Sequence, residues 1–447
     1  MNTPICDFVK AYADSAAVRL HMPGHKGRGT LGVESLDITE IAGADVLYAP
    51  DGVIAQSQQN ATALFGSAKT LYSVEGSSLC IRAMLHLAAV HAHTQGKRPL
   101  VLAVRNAHRT FLSAVALLDM PVEWIYPAKR QSVISCVLTP DELEDILAGM
   151  DEMPVALYVT SPDYLGNVSD IAGLAKVCHR YGVLLLVDNA HGAYLQFLTP
   201  SRHPIALGAD ICCDSAHKTL PVLTGGVYLH IAHSAPEGMT DMATESLALF
   251  ASTSPSYLIL QSLDAANAYL SEGYDDRLSC LCTAIDKIKE TLLQRGFCLL
   301  GDEPLKLTVC PKSYGYTGDE IAEYLAGRGI VCEFADPDYT VFMFTPEIGE
   351  DELERLTGAL TSLPRRAPIS DAPPVPTACE RVLSIREAML SPSECQPVSR
   401  CIGRVLAAPN VSCPPAIPII ACGERIDEHA ATCFTYYGIT HCCVVRN

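Results

Sequence analysis

The sequence predicts an α/β fold: a mainly parallel, doubly covered sheet, followed by a small α+β domain and a short C-terminal domain. Three observations carry this. Between about Thr70 and His230, strand-like segments alternate with helix-like segments of about ten residues or more, as in parallel strands joined by crossover helices. One run, Val183-Leu-Leu-Leu-Val187, is unbroken apolar sequence, as expected of a central strand buried on both faces. Beyond about Thr240 the alternation stops, and a helical pattern to Gly296 gives way to a smaller mixed region ending near Leu363.

In chain order, strands are expected at Thr70 to Val74, Leu100 to Val104, Val122 to Tyr126, Val155 to Thr160, Val183 to Val187, Ile211 to Asp214 and Gly226 to His230. Helices are expected at Cys80 to His93, Arg109 to Leu118, Asp141 to Met150 and Ala172 to Tyr181, where apolar residues recur at helical spacing. A helix is also expected around Cys379 to Leu390. The domain reading is an arm over 1–30, a large domain over 31–240, connecting helices and a small domain over 241–363, and a C-terminal domain over 377–447. Pro364, Pro368, Pro373, Pro374 and Pro376 mark 364–376 as an extended linker, because proline removes donors and fixes φ.

Composition narrows the function. A chain of 447 residues suggests two or three domains, and 49% hydrophobic against 18% charged residues excludes a disordered polymer. The net charge of −18 argues against nucleic acid and anionic membranes as partners and is compatible with a cationic small molecule. No apolar run approaches the roughly 20 residues of a membrane span. The 19 cysteines are scattered, and Met1 to Lys10 lacks an apolar leader segment, which predicts reduced thiols in a cytoplasm rather than a disulfide framework. His429, Cys433, His441, Cys442 and Cys443 are the alternative, a zinc site, but their spacing matches no zinc pattern, so no metal is expected.

The chemistry is concentrated at the carboxyl ends of the expected strands, where open α/β sheets bind ligands. Lys218 lies in Ser215-Ala-His-Lys218, just after a strand, and Asp188 ends the apolar strand upstream. A pyridoxal phosphate site needs an amine, a carboxylate for the pyridine nitrogen, a flat group over the ring and a phosphate cup. Lys218 and Asp188 supply the first two. Glu75-Gly-Ser-Ser78, between a strand and a helix, offers backbone N–H groups and the hydroxyls of Ser77 and Ser78 as the cup. His108, in Arg105-Asn-Ala-His108, is the flat group; a helix cap is the plainer role for that histidine.

These residues resemble a known family. His21-Met-Pro-Gly-His-Lys-Gly27, Gly76-Ser-Ser78, Arg105-Asn-Ala-His108, Thr160-Ser-Pro162, Asp188-Asn-Ala-His-Gly192, Ser215-Ala-His-Lys218, Thr253-Ser-Pro-Ser-Tyr257 and the C-terminal Pro414-Pro-Ala-Ile-Pro418 to Glu424 are similar to motifs of the bacterial ornithine/lysine/arginine decarboxylases. The resemblance implies the aspartate aminotransferase-like fold (fold type I of pyridoxal phosphate enzymes) and decarboxylation of a basic amino acid. It implies that Ser77, Ser78, Ser215 and His217 hold the phosphate and that Ala190 lies under the ring. It also implies that Thr253 reaches the phosphate of a neighbouring subunit, so that a homodimer shares its sites, and that Glu424 lies near the substrate. The form expected is a short one without the N-terminal wing domain of larger members.

Ala416 replaces a glycine of the C-terminal motif, and His191 stands where some members carry tryptophan. Fold relatives that transaminate place an arginine in the small domain; Tyr339 to Pro346 has none, which favours decarboxylation and leaves arginines elsewhere in the chain as the alternative carboxylate ligand. Glu333, Asp336 and Glu424 are the candidates for the substrate's distal cation. Arginine, lysine and ornithine are not separated by the sequence, and an aminotransferase or lyase of the same fold is the competing activity.

Overall fold

A computed structural model describes residues 1–128, 130–132, 134–409 and 415–446. Cys413 and Pro414 of the C-terminal motif lie outside the described residues. The chain divides into two compact units: Met1–Arg98, Val155–Leu157 and Ile171–Arg277 form the first, and Pro99–Pro154, Tyr158–Asp170 and Leu278–Asn447 the second. Both are mixed α/β, as the sequence predicts.

In the first unit the strand Leu184–Asp188 is buried at every position, as its apolar run requires. It pairs in parallel with Ile211–Asp214, with Asp188 opposite Cys213. Val227–Ile231 runs antiparallel to Ile211–Asp214 on one side and to Lys69–Ser73 on the other. Asp214 faces Tyr228, and Ser73 faces Val227. Leu184–Asp188, Ile211–Asp214 and Lys69–Ser73 therefore all end at one sheet edge. The helix Ser77–Thr94 begins there, at Gly76. The amino-terminal helix Pro4–Asp14 has no side-chain cap of its own. Asp264 supplies one, accepting from the N–H groups of Ile5 (2.9 Å) and Cys6 (3.0 Å), which ties the arm to the helix Tyr257–Leu270.

In the second unit Val101–Val104 and Val122–Ile125 pair in parallel. A separate antiparallel sheet has the order Cys298–Leu300, Lys306–Cys310, Thr340–Met343, Phe334–Ala335. A ribbon, Ser393–Pro397 with His441–Val445, completes the C-terminal region. Its apolar core gathers Val398, Leu406, Ile420, Ile426, Phe434 and Val444.

The expected helix around 379–390 is shorter, at Ile385–Leu390. Ser384 caps it, and the preceding residues pair with another segment: the N–H groups of Val382 and Leu383 both donate to the Gly423 carbonyl (2.9 and 3.1 Å). The Pro-rich stretch 364–376 has no helix or strand. It is fastened by the Arg366 N–H to the Tyr314 carbonyl (3.1 Å) and the Ile369 N–H to the Lys312 carbonyl (2.9 Å).

Candidate active site

The shared strand edge of the first unit assembles most of the expected residues. The Gly76 N–H donates to the Gly225 carbonyl (3.0 Å), and the next carbonyl, Gly226, accepts from the His217 N–H (3.2 Å). One glycine pair thus links the Gly76-Ser77-Ser78 turn to the Ser215–Lys218 turn. A Cβ on Gly225 would stand 2.8 Å from the Val74 carbonyl oxygen, so the approach needs glycine.

Lys218 Nζ lies 2.9 Å from His191 Nε2. Asp188, 3% exposed, accepts from the Ala190 N–H at 3.3 Å and from the Cys213 thiol at 3.8 Å. His217 Nδ1 donates to the Gly226 carbonyl (3.0 Å), and burial pushes its pKa down. Ser252 N–H donates to the Glu75 carboxylate (2.8 Å), and the next residue, Thr253, is exposed.

These residues fit a phosphorylated pyridine. Ser215 is fully buried and its hydroxyl has no hydrogen-bond partner among the described residues, a cost of about 1–3 kcal/mol that an anion would relieve. The helix Ser77–Thr94 opens at Gly76 with no side-chain cap, so its N-terminus suits a phosphate. Amine, buried carboxylate and cup share one edge.

Sequence reasoning missed what lies beneath. Asp214 accepts from His203 Nε2 (2.9 Å) and His230 Nε2 (3.2 Å) on one oxygen and from Asn189 (2.7 Å) on the other. Thr70 bonds the remaining nitrogen of His230 (2.8 Å). All these side chains are buried. Burial alone would raise the Asp214 pKa, but the two imidazoles hold it well below the usual carboxylate range. The network clamps Asn189, next to Asp188, to the residue before Ser215. A histidine inside the apolar strand Val227–Ile231 was the available signal.

In the second unit His108 is the N-cap of Arg109–Leu118, its Nδ1 accepting from the Thr110 N–H (3.2 Å). The plainer role is thus met, and it fixes the ring. The Ala416 carbonyl accepts from the Arg109 N–H (2.8 Å). Ala416 has φ +56°, the left-handed conformation that favours the glycine it replaces.

Glu424 is 5% exposed and accepts from the Ala421 N–H (2.7 Å). Burial raises its pKa, opposed first by Arg105. Arg105, the first residue of the Arg105-Asn-Ala-His108 motif, is 4% exposed, packs over Trp124 at 5.2 Å, and has two nitrogens without partners among the described residues.

Glu333 accepts from the Tyr164 hydroxyl (2.8 Å) and lines a cleft of about 310 Å³ with Phe342 and Arg355. Asp336 is occupied as a turn former, accepting from the N–H groups of Asp338 and Tyr339, both at 2.8 Å. Cys442 is buried and Cys443 half-buried, on opposite faces of one strand, so adjacent position does not bring their thiols together. Among the described residues no helix is long and apolar enough to cross a membrane.

Residues 3–296 match the family "Orn/Lys/Arg decarboxylase, major domain". An uncharacterized protein of Bacillus subtilis, YaaO, is 30% identical, over 96% of this chain and 93% of its own length. An arginine decarboxylase of the same organism is 29% identical over 96% and 92%. The lysine decarboxylase LdcF of Francisella novicida superposes with a TM-score of 0.81 at 17% identity, covering 99% of this chain and 81% of that one; it shares the fold. The chain belongs to the Orn/Lys/Arg decarboxylase family and is an amino-acid decarboxylase acting on a basic amino acid.

Proposed function

We propose that this enzyme binds pyridoxal phosphate through Lys218 and decarboxylates arginine in preference to lysine or ornithine. The observation that supports the cofactor reading is the sheet edge where adjacent strands end at Asp188 and just before Ser215 and Lys218, the Ser215 hydroxyl having no partner among the described residues. Arginine is placed first because a relative that matches 96% of the chain is an arginine decarboxylase.

Pyridoxal phosphate, when bound, supplies the electron sink for the charge left at Cα as CO2 departs. The chain's own residues do the rest. The Gly76–Ser78 turn and Ser215 hold the phosphate, with His217 beside them. Asp188 would keep the pyridine nitrogen protonated and Ala190 would lie under the ring; His108 is the proposed stacking group. Lys218, held by His191, delivers the proton that replaces CO2 at Cα. Glu424 takes the distal cation, with Glu333 as the second candidate. The enzyme is a cytoplasmic homodimer in which Thr253 reaches the phosphate of the neighbouring subunit.

The test is a product screen of the purified enzyme with arginine, lysine and ornithine. Release of CO2 with the matching amine, most rapid for arginine, is expected. A keto acid without CO2 would show an aminotransferase instead.

A further inference from the structure

Two pairs of cysteines face each other across antiparallel strands: Cys395 opposite Cys443, and Cys298 opposite Cys310. Register parity separates them. In the C-terminal ribbon the Arg446 N–H donates to the Pro392 carbonyl (2.9 Å) and the Val398 N–H to the Thr440 carbonyl (3.0 Å). Both bonds lie on the ribbon's continuous register, so hydrogen-bonded pairs fall at even positions of its first strand. Cys395 and Cys443 are a non-hydrogen-bonded pair. Pro397, which has no N–H to give, sits at the same parity.

In the other sheet the Phe344 N–H donates to the Leu305 carbonyl (3.0 Å). Odd residues there turn their backbone groups toward Thr340–Met343, and even ones toward Cys298–Leu300. Cys298 and Cys310 are therefore a hydrogen-bonded pair.

The difference matters because facing Cβ atoms stand about 4.5–5.5 Å apart, closest at non-hydrogen-bonded pairs. A disulfide needs about 3.5–4.5 Å. Typical spacings put a pair of the Cys395–Cys443 kind at the edge of that range and one of the Cys298–Cys310 kind roughly an ångström outside it; in both pairs the thiols lie within hydrogen-bond reach of each other. Access does not separate the pairs: Cys395 and Cys298 are exposed, Cys443 and Cys310 half-buried. The Cys443 thiol is pushed up by burial and by Cys395 beside it. The next residue, Cys442, points to the buried face.

We propose that Cys395 and Cys443 are a redox modification site that closes to a cross-strand disulfide when the surrounding thiol pool becomes oxidising. The oxidant is a low-molecular-weight disulfide. The Cys395 thiolate attacks one of its sulfurs, forming a mixed disulfide and releasing one thiolate. Cys443, losing its proton, attacks the Cys395 sulfur and releases the second. Two protein thiols and one small disulfide become one protein disulfide and two small thiols.

The bond staples the ribbon, closing a loop of about 50 residues. The Cys443 carbonyl accepts from the Ala407 N–H (2.9 Å). Beside it, Leu406 donates to the Glu424 carbonyl and accepts from the Gly423 N–H, both at 2.9 Å. The staple thus stiffens the backbone platform of Glu424.

The test equilibrates the cofactor-loaded enzyme in glutathione buffers of increasing oxidised fraction, blocks remaining thiols by alkylation and maps peptides by mass spectrometry. A Cys395–Cys443 linked peptide, lighter by two hydrogens and reversed by dithiothreitol, is expected before any other link. Oxidation should raise the melting temperature by several degrees in the wild type and leave Cys395→Ser unchanged. Cys443→Ser should retain glutathione on Cys395. Alkylation of both cysteines at every buffer composition, a persistent glutathione adduct in the wild type, or earlier linkage of Cys298 to Cys310 would overturn the proposal.

Discussion

Lys218 Nζ stands 2.9 Å from His191 Nε2, and the two residues follow adjacent parallel strands. A lysine amine that must accept and return protons needs a partner of this kind, and general acid–base groups contribute about 10²–10⁴-fold. Lys218→Ala should abolish turnover and the visible absorbance of protein-bound cofactor while circular dichroism stays native. His191→Phe should lower kcat by roughly 10–100-fold with little change in KM, and His191→Gln, which keeps a hydrogen bond, should lose less. Equal KM and kcat effects in both variants would assign His191 to substrate binding instead.

The Asp214 network supports that edge and gives a prediction for stability. Taking a charged acceptor away from buried hydrogen-bond donors costs about 1–3 kcal/mol or more. Asp214→Asn keeps the shape and loses the charge opposite His203 and His230, so a loss of about 3 kcal/mol at pH 7 is expected from urea unfolding. The Asp214 pKa is depressed in the folded protein. Its contribution is present above the unfolded carboxylate pKa and disappears as pH falls below it. The gap between wild type and variant should therefore narrow in acid.

Asp214 also shows where the sequence was legible and where it was not. Local pattern placed Arg109–Leu118 and Ile211–Asp214 at the bounds observed, because apolar periodicity and an N-cap are readable within ten residues. The placement of Asp188, Ser215 and Lys218 at one sheet edge was readable because strand ends recur there in this fold class. His203 and His230 were not, since only the tertiary fold brings residues 203, 214 and 230 onto one carboxylate. The segment 379–383 read as helix for the opposite reason: its local pattern was helical, but backbone pairing with Gly423 outweighed propensity. Arg105 was visible in its motif; its burial near Glu424 was not.

Ala416 tests the departure from the family motif. Its left-handed φ and 1% exposure leave a methyl tolerated and anything larger strained. Ala416→Gly should change stability by less than about 1 kcal/mol, because relief of strain offsets the greater freedom of the unfolded chain. Ala416→Val should cost about 2 kcal/mol or more. Thermal unfolding of the two variants checks the asymmetry.

Asp336 carries an opposite pH signature. Burial raises its pKa to about 7, with Asp338 and Asp319 adding repulsion and the two turn N–H groups opposing it. The folded protein holds this proton more tightly than the unfolded chain, so stability falls as pH rises from about 4 to about 7. Asp336→Asn retains an acceptor for the Asp338 and Tyr339 N–H groups and removes the charge. It should raise the melting temperature at pH 8 and have little effect at pH 4; a uniform shift at both would assign the effect to packing.

Glu424 and Arg105 yield the prediction closest to substrate choice. If Glu424 receives the distal cation, Glu424→Gln should raise KM for the preferred amino acid roughly tenfold or more, as expected for a lost charged contact, with a smaller change in kcat. Arg105 lowers the Glu424 pKa against burial. Replacing it by glutamine should let that pKa rise, so Glu424 takes up its proton at a higher pH and loses its grip on a cation sooner. The acid limb of kcat/KM should then move upward in pH for Arg105→Gln and vanish for Glu424→Gln. Melting curves of both variants at neutral pH separate this from unfolding. An acid limb unmoved by either substitution would place the cation on another carboxylate, with Glu333 the next to replace.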